Sequence, residues 1–387
     1  MSNFIDISVD HINKKNEELC GDHVEITKND NSTIVVLSDG LGSGVKANIL
    51  STLTSNIAAT MLKQGSDIFE VINTLEKTLP VCKVRNLAYA TFTIIQLFDD
   101  GTIYCAEFDN PKIAYIRNKS IYEPTRKQTK FQDKTILEFR AKYQKDDIIT
   151  FFSDGVVHAG IENFLVLGWQ YEEIVEVLLR FAHKQKTSKA ISKEVIDIAN
   201  AYYRYEPGDD TTCVVIKIRD EEKITLFSGP PKEEVKDEEI ASDLVNENGK
   251  KIICGGTAAN IIARELNENI ESRLDTLEEG IPPIAQIRGI DLVTEGVLTM
   301  TEAIKIMEDY SKPNFNNQDL IKNNGASKLA NLLINECTHL KVLHGNAINP
   351  AHQNPFFKDE LSIKWKTIQA LIETVKQLGK EVEVVSY

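Results

Sequence analysis

The sequence predicts an α+β layered domain, with sheet packed on sheet and helices outside, followed by a smaller α/β domain. Short runs rich in Val, Ile, Thr and Phe alternate with turn residues through residues 1–219, as hairpin-linked strands do. Two pairs of helical segments interrupt these runs. After residue 247 a strand, a Gly-rich turn and a helix follow one another, a pattern that favours α/β architecture.

The elements of the first domain follow from local spacing. Helical spacing covers residues 45–65 and 67–79, which end at Gly65 and before Pro80. A second helical pair covers residues 171–185 and 188–205. We predict strands at Thr33–Ser38, Ala90–Leu97, Ile103–Phe108, Ile113–Arg117, Ile148–Ser153 and Thr212–Ile218.

A change of composition suggests where the domains meet. Residues 229–247 combine prolines with many charges, which favours a solvated linker. We therefore assign residues 1–220 to the first domain, 221–247 to a linker and 248–387 to a second domain. The end of the chain reads as helix, Gly turn and strand, so we expect some parallel strands in the second domain.

Composition excludes some classes of partner. The 387 residues carry a formal net charge of −14, and no block of Lys or Arg is long enough to follow a phosphate backbone. This argues against nucleic acid and against a polybasic membrane contact. The six cysteines form no CxxC pair, and the first residues hold no apolar stretch typical of a signal peptide. We expect a cytoplasmic protein with reduced thiols.

Four acidic turns lie at the edges of predicted strands. Two of them follow an apolar strand with Ser-Asp-Gly, in "VVLSDGLGSG" at 35–44 and "IITFFSDGVVHAG" at 148–160. The other two are "CGDHVEI" at 20–26 and "EPGDDTTCVVI" at 206–216. The acids in these turns are Asp22, Asp39, Asp154, Asp209 and Asp210.

Such acids repel one another if the turns converge. Two carboxylates about 4 Å apart repel by roughly 4 kcal/mol at an effective dielectric near 20. Either some of them are protonated or a cation neutralises them. Oxygen ligands without a His or Cys pattern favour a hard ion, Mn²⁺ or Mg²⁺. Two ions about 3.5–4 Å apart can activate a shared water for hydrolysis of a phosphate ester.

These motifs, taken in order, resemble the metal-dependent protein serine/threonine phosphatase superfamily (PPM, type 2C). The resemblance is to the branch of sporulation stage II protein E and the bacterial stress-response phosphatases, and it covers about residues 1–219. It implies a central β-sandwich flanked by helices in α/β/β/α layers, with two Mn²⁺ or Mg²⁺ ions at one edge. It also implies direct attack of activated water on phosphorus, without a covalent enzyme intermediate.

The resemblance assigns a role to each acidic turn. Asp39 would bridge both ions, and the Gly40 carbonyl and Asp22 would complete one site. Asp154 and Asp209 would serve the other site.

Other residues near these motifs have less defined roles. Asp210 lies where the family has Asp or Asn and is a candidate for supporting the ligands. His158 stands where the family often carries Glu, and is either a surface turn residue or a proton donor. Lys83 and Arg85 are nearby in sequence as candidates for contact with the phosphate.

The second domain contains a candidate ligand site. In "IICGGTAANIIARE", at 252–265, the backbone N–H groups of Gly255, Gly256 and Thr257 would meet an anion at a helix N-terminus. The alternative is a tight strand–helix turn with Thr257 as N-cap. Glu295 lies at the tip of another strand-to-Gly turn, and a small ligand would fit between the two turns at one sheet edge.

The leading hypothesis is a phosphatase that hydrolyses phosphoserine or phosphothreonine on a regulatory protein. By the resemblance, the substrate is a regulator of the anti-anti-sigma type. Two alternatives stay open. One is a weakly active regulatory protein whose second domain binds a metabolite or partner; the other is a small-molecule phosphatase. The sequence also leaves a homodimer open.

Overall fold

The computed structural model describes residues 3–79, 90–131, 134–161, 163, 165–182, 184, 187–312, 315, 318–346 and 358–387. The chain forms two compact units. The N-terminal unit contains Ile5–Arg219, and the C-terminal unit contains Asp220–Tyr387 together with the beginning of the chain. No helix among the described residues is long and apolar enough to cross a membrane.

The N-terminal unit contains eleven named strands and five named helices in its described part. The strands are β1 (Asn3–Ile12), β2 (Asp22–Lys28), β3 (Ser32–Asp39), β4 (Thr91–Phe98), β5 (Thr102–Phe108), β6 (Ala114–Arg117), β7 (Ser120–Ile121), β8 (Lys127–Phe131), β9 (Lys134–Lys142), β10 (Ile148–Phe152) and β11 (Thr211–Asp220). The helices are α1 (Gly44–Lys63), α2 (Ile68–Thr78), α3 (Asp154–Val157), α4 (Tyr171–Ala182) and α5 (Ser188–Tyr202).

These strands form two sheets that pack face to face. One sheet has the order β2-β3-β4-β5-β9-β8 and the other β1-β11-β10-β6-β7. Every pair with a described register is antiparallel. The sheets share one apolar cluster, while α1 and α2 cover the first sheet and α4 and α5 the second. The predicted α/β/β/α sandwich is therefore confirmed.

Strand β3 is apolar on both of its faces because it lies between the second sheet and the helices. Val35 and Leu37 face the other sheet, whereas Ile34 and Val36 face the helices. Successive strand residues point to opposite faces, so a strand between two layers buries both sets. The predicted strands are present, and five further strands were not predicted from the sequence: β1, β2, β7, β8 and β9.

The C-terminal unit is an α/β domain. Its elements are β12 (Lys223–Ser228), α6 (Asp237–Asn246), β13 (Lys250–Cys254), α7 (Gly256–Leu266), β14 (Glu271–Arg273), β15 (Ile284–Gln286), β16 (Leu292–Thr294), α8 (Val297–Tyr310), α9 (Gln318–Ile321), α10 (Gly325–Asn335), β17 (His339–His344), α11 (Lys358–Gln377) and β18 (Glu381–Ser386). The sheet order is β14-β15-β16-β13-β12-β17-β18. Strands β16, β13, β12, β17 and β18 are parallel, and apolar clusters cover both faces.

The structure corrects the predicted linker at 221–247. Strand β12 lies at the centre of the parallel sheet between β13 and β17, and α6 packs on one face of that sheet. Ile224, Leu226 and Phe227 are fully buried. A short apolar strand and an amphipathic helix are therefore hidden in a stretch whose overall composition is charged and rich in proline.

We expect substitution of Leu226 by Ala to destabilise the C-terminal unit by about 2–5 kcal/mol, because it opens a cavity around the central strand. Val235→Ala is the matched control within the same segment. Val235 is 80% exposed, and we expect an effect within about 0.5 kcal/mol. Urea unfolding followed by circular dichroism measures both. Equal midpoints for the two variants would contradict the central position of β12.

Candidate metal and phosphate site

The pairing of β2 with β3 brings two of the predicted acids together. Strand β2 begins at Asp22, β3 ends at Asp39, and these residues are direct partners in the antiparallel register. Directly opposed residues in a sheet project to the same face, with Cβ atoms about 4.5–5.5 Å apart. The first sheet therefore presents two carboxyl groups at one end.

The second sheet brings the other acids together in the same manner. Strand β10 ends just before Ser153, and β11 begins just after Asp210. The Ser153 N–H donates to the Thr212 carbonyl at 3.0 Å, and the Thr212 N–H donates to Ser153 Oγ at 2.9 Å. These bonds hold the start of α3, at Asp154, beside the turn that carries Asp209 and Asp210.

The loop between β1 and β2 connects the two acidic pairs. The Lys14 N–H donates to Asp210 Oδ1 at 3.0 Å, and Cys20 Sγ lies 4.0 Å from Thr212 Oγ1. A Cβ at Gly21 would lie 2.7 Å from Asp210 Oδ2. The residue before Asp22 thus touches the acidic turn of the other sheet, so all four turns lie at one edge of the sandwich.

The glycine after each Ser-Asp is required by packing. A Cβ at Gly40 would lie 2.1 Å from the Ala47 carbonyl oxygen. A Cβ at Gly155 would lie 2.1 Å from the Asp210 carbonyl oxygen. Real Cβ atoms do not approach backbone this closely, so any larger residue would push these turns apart.

Burial and mutual repulsion raise the pKa of these acids. Burial, with the charges of Asp22, Asp154 and Asp209 added, raises the pKa of Asp39 to about 9. Burial also raises the pKa of Asp22 to about 7, and the charge of Asp210 adds to it. Burial and the charge of Asp154 raise the pKa of Asp209, whereas the charge of Lys14 lowers it.

The donor atoms fit a hard cation, although the present spacing does not form a coordination sphere. In the part of the chain that the structure describes, both carboxyl oxygens of Asp22 and Oδ2 of Asp210 are buried without a partner in hydrogen-bonding geometry, although Ser153 and Thr212 lie near enough to Asp22 to lower its pKa. An unpaired buried carboxylate is unfavourable unless a cation or donor reaches it. Within the described ranges, no three His, Cys, Asp or Glu side chains lie close enough together to hold a metal ion.

Three further residues border this edge. His158 Nδ1 lies 3.7 Å from Asp154 Oδ2, and Lys14 Nζ lies 3.8 Å from Asp209 Oδ1. The Tyr203 hydroxyl donates to the Gly155 carbonyl at 2.7 Å. Sequence analysis missed Lys14 and Tyr203, because neither a charged loop nor a helix terminus carries a motif that points to this site.

Two predicted phosphate contacts, Lys83 and Arg85, lie outside the described residues.

The two acids of the Asp209–Asp210 pair differ in burial. Asp210 is 4% exposed, whereas the side chain of Asp209 is 40% exposed.

The predicted ligand residues of the second domain also meet at one sheet edge. Gly255 precedes α7 with φ of 129°, a conformation that favours glycine. A Cβ at Gly296 would lie 3.6 Å from Gly255 Cα, so the turns after β13 and β16 are adjacent. Glu295 is exposed between them. The alternative with Thr257 as N-cap is wrong, because Gly255 occupies the cap and Thr257 lies inside the helix.

The N-terminal unit is a sandwich of two antiparallel sheets between helical layers, as the resemblance of its motifs implied. Residues 29–219, just under half of the chain, match the family model described as Stage II sporulation protein E (SpoIIE), so this segment is SpoIIE-like. The resemblance inferred from the motifs is thereby confirmed. The match supports phosphatase activity at the level of the family. No curated protein matches the chain.

Solved structures show a weaker likeness. The PP2C phosphatase domain with a fragment of the regulatory domain of SpoIIE from Bacillus subtilis is 17% identical, with 56% of this chain and 64% of that chain covered and a TM-score of 0.46. The RsbU and RsbW domains of Rv1364c from Mycobacterium tuberculosis are 15% identical, with 56% and 61% covered and a TM-score of 0.47. The chain thus spans less than two thirds of either protein. Similarity at this level transfers no substrate or partner.

We expect Gly40→Ala to weaken the folded N-terminal unit by about 1–3 kcal/mol, because its Cβ would displace the backbone at Ala47. Gly208→Ala is the matched control, since a Cβ there makes only an ordinary contact of 3.5 Å with Tyr203. Thermal unfolding by circular dichroism measures both. A Gly40→Ala variant as stable as Gly208→Ala would refute the tight turn.

We expect the metal-free protein to lose stability as pH rises from about 4 to 9. The folded-state pKa of Asp39 is raised to about 9, above its unfolded value, so its contribution is full at low pH and is lost as the group ionises. Asp39→Asn should therefore melt higher than wild type at pH 8.5 in EDTA, by about 2–4 °C per kcal/mol regained. Thermal melts at pH 6 and 8.5 measure this.

The exposed Asp30 supplies the control for the pH series, as Asp30→Asn. This variant should follow the wild-type melting curve at both pH values. An Asp39→Asn protein that melts below wild type at pH 8.5 would show that the Asp39 carboxylate is stabilised by a protein donor and does not need a cation.

Proposed function

We propose that the N-terminal unit is a divalent-metal-dependent phosphatase acting on phosphoserine or phosphothreonine of a regulatory protein. One observation carries the proposal: acids from both sheets share one edge, and among the described residues neither carboxyl oxygen of the buried Asp22 has a partner in hydrogen-bonding geometry. A set of like charges in this position is stabilised by protonation or by a cation, and the phosphatase proposal takes the cation.

The family resemblance implies which residues of this chain would hold the metal ions. Asp22, Asp39, Asp154, Asp209 and the Gly40 carbonyl would hold the divalent ions. Bound Mn²⁺ or Mg²⁺ would supply Lewis-acid activation of water for attack on a phosphate ester.

Neighbouring residues support this arrangement. Asp210 accepts from the Lys14 backbone and so anchors the loop that carries Asp22. Tyr203 fixes the Gly155 carbonyl and thereby the turn that begins with Asp154. Lys14 Nζ reduces the negative charge beside Asp209.

The openness of the edge favours a protein-borne phosphate. The side chains of Asp154 and Asp209 are 47% and 40% exposed, so a phosphoserine on a protein surface reaches them without entering a closed cavity. A small-molecule phosphatase more often encloses its substrate. A regulator of the anti-anti-sigma type is our proposed substrate, on the family resemblance alone.

A second candidate is a regulatory protein with weak turnover. The observation that favours it is that the described acids form no ready metal site in the present arrangement. Closure of the site would then depend on a partner or a ligand.

We expect hydrolysis of p-nitrophenyl phosphate and of a phosphoserine peptide to require added Mn²⁺ or Mg²⁺. Asp39→Asn and Asp154→Asn should each reduce kcat/KM at least about 100-fold, since each removes a proposed ligand. Steady-state kinetics with a metal titration measure this.

Asp30→Asn is the control for a lost surface carboxylate and should retain wild-type kcat/KM. Turnover that persists in EDTA, or full activity of both ligand variants, would refute the mechanism. Metal binding by calorimetry without turnover would instead support the weakly active regulator.

A further inference from the structure

The C-terminal sheet has a topological switch point. Strands β13 and β16, which follow β12 in the chain, lie on one side of β12. Strands β17 and β18, which come later, lie on its other side. In doubly wound sheets of this kind, ligands bind in the crevice outside the carboxyl ends of the strands at the reversal. Here the reversal lies between β12 and β17.

The backbone at this reversal is glycine-lined. A Cβ at Gly229, which follows β12 with φ of 90°, would lie 2.6 Å from the Gly345 carbonyl oxygen. The same Cβ position lies 3.1 Å from Lys364 Nζ, which comes from α11. The ammonium group therefore reaches the carboxyl edge of the two strands, next to their closest approach.

Lys364 is a cation with no direct partner among the described residues. It forms no hydrogen bond or ion pair within the part of the chain that the structure describes. Burial lowers the pKa of Lys364, while the charges of Glu295 and Cys254 oppose this shift. These two residues border the turns that precede α7 and α8, so the field of Lys364 reaches both turns.

Two helix N-termini face this region without side-chain caps. Helices α7 and α8 begin after Gly255 and Gly296, and neither has a side-chain cap bond or an acid in its first turn. Their first N–H groups carry partial positive charge and bind anions readily. The two glycines approach each other closely, so the two sets of N–H groups are neighbours.

His344 is an independent sign of a ligand at the same edge. It ends β17 and is only 6% exposed, with its ring stacked on Trp365 at 4.6 Å. Nδ1 lies 3.4 Å from the Ser228 carbonyl, and among the described residues Nε2 has no partner. Because Nδ1 faces that carbonyl, Nε2 is the ring atom that remains to meet a polar ligand.

We propose that the C-terminal unit binds a small molecule carrying a sugar phosphate group at this edge. Lys364 and the first-turn N–H groups of α7 and α8 hold the phosphate. Glu295, the exposed acid between the two turns, accepts hydrogen bonds from sugar hydroxyls. A free sugar phosphate and a nucleotide share this chemistry. The site is distinct from the acidic edge of the N-terminal unit.

Calorimetry of the full chain in EDTA tests the proposal, with inorganic phosphate, ribose 5-phosphate and AMP as probes. EDTA removes metal-dependent phosphate binding at the acidic edge, so the result is independent of the phosphatase proposal. We expect ribose 5-phosphate or AMP to bind with a Kd below about 1 mM. AMP binding much tighter than ribose 5-phosphate identifies a nucleotide; equal binding identifies a sugar phosphate.

Variants locate the site. Lys364→Met should weaken binding at least about tenfold, and Lys364→Arg should retain it because the charge remains. Lys366→Met is the matched control on the same helix, where Lys366 is exposed, and should bind as wild type. Gly256→Pro removes one N–H donor at a helix position that tolerates proline, and should also weaken binding.

Glu295→Gln should weaken ribose 5-phosphate and leave inorganic phosphate unchanged or tighter. Circular dichroism melts establish that each variant is folded. The proposal is overturned if no probe binds to the wild-type chain below about 1 mM. It is equally overturned if both folded variants, Lys364→Met and Gly256→Pro, bind as tightly as wild type.

Discussion

Repulsion among carboxyl groups is the constraint on which the N-terminal unit depends. Strand pairing within each sheet fixes one pair of acids, and packing of the sheets brings the pairs to one edge. The apolar contacts that hold the sandwich together therefore oppose the electrostatic free energy at that edge. Protons reduce the charge at this edge when the pKa values are raised, and a bound cation would reduce it in the same way and so stabilise the fold.

The N-terminal architecture and the acidic edge could be predicted because their signals are local. The doubly buried β3 produces a continuous apolar run, and each Ser-Asp-Gly marks the point where a strand must turn against another backbone. The relative burial of Asp209 and Asp210 could not be predicted. It depends on a hydrogen bond from Lys14, nearly two hundred residues earlier in the chain. Such a long-range contact leaves no periodic trace in sequence.

The central strand of the C-terminal unit could not be predicted from the sequence, for a related reason. Strand β12 has only six residues. Averaged over a longer window, the composition of this region is dominated by the charged residues and prolines on either side of the strand. Its central place comes from pairing with β13 and β17, which are far apart in sequence. Lys364 was likewise not singled out, because one lysine on an amphipathic helix has no distinguishing pattern. Its place at the reversal of strand order between β12 and β17 becomes visible only in the folded structure.

The position of β12 has a consequence for biosynthesis. Only two residues separate the end of β11 from the start of β12, yet the second neighbour of β12, β17, begins more than a hundred residues later. The ribosome therefore releases β12, the central strand of the parallel part of the sheet, long before both of its neighbouring strands have been synthesised. Until residue 344 emerges, one side of that apolar strand stays open to water or to another nascent chain. A fragment that starts at residue 248 would lack the strand altogether.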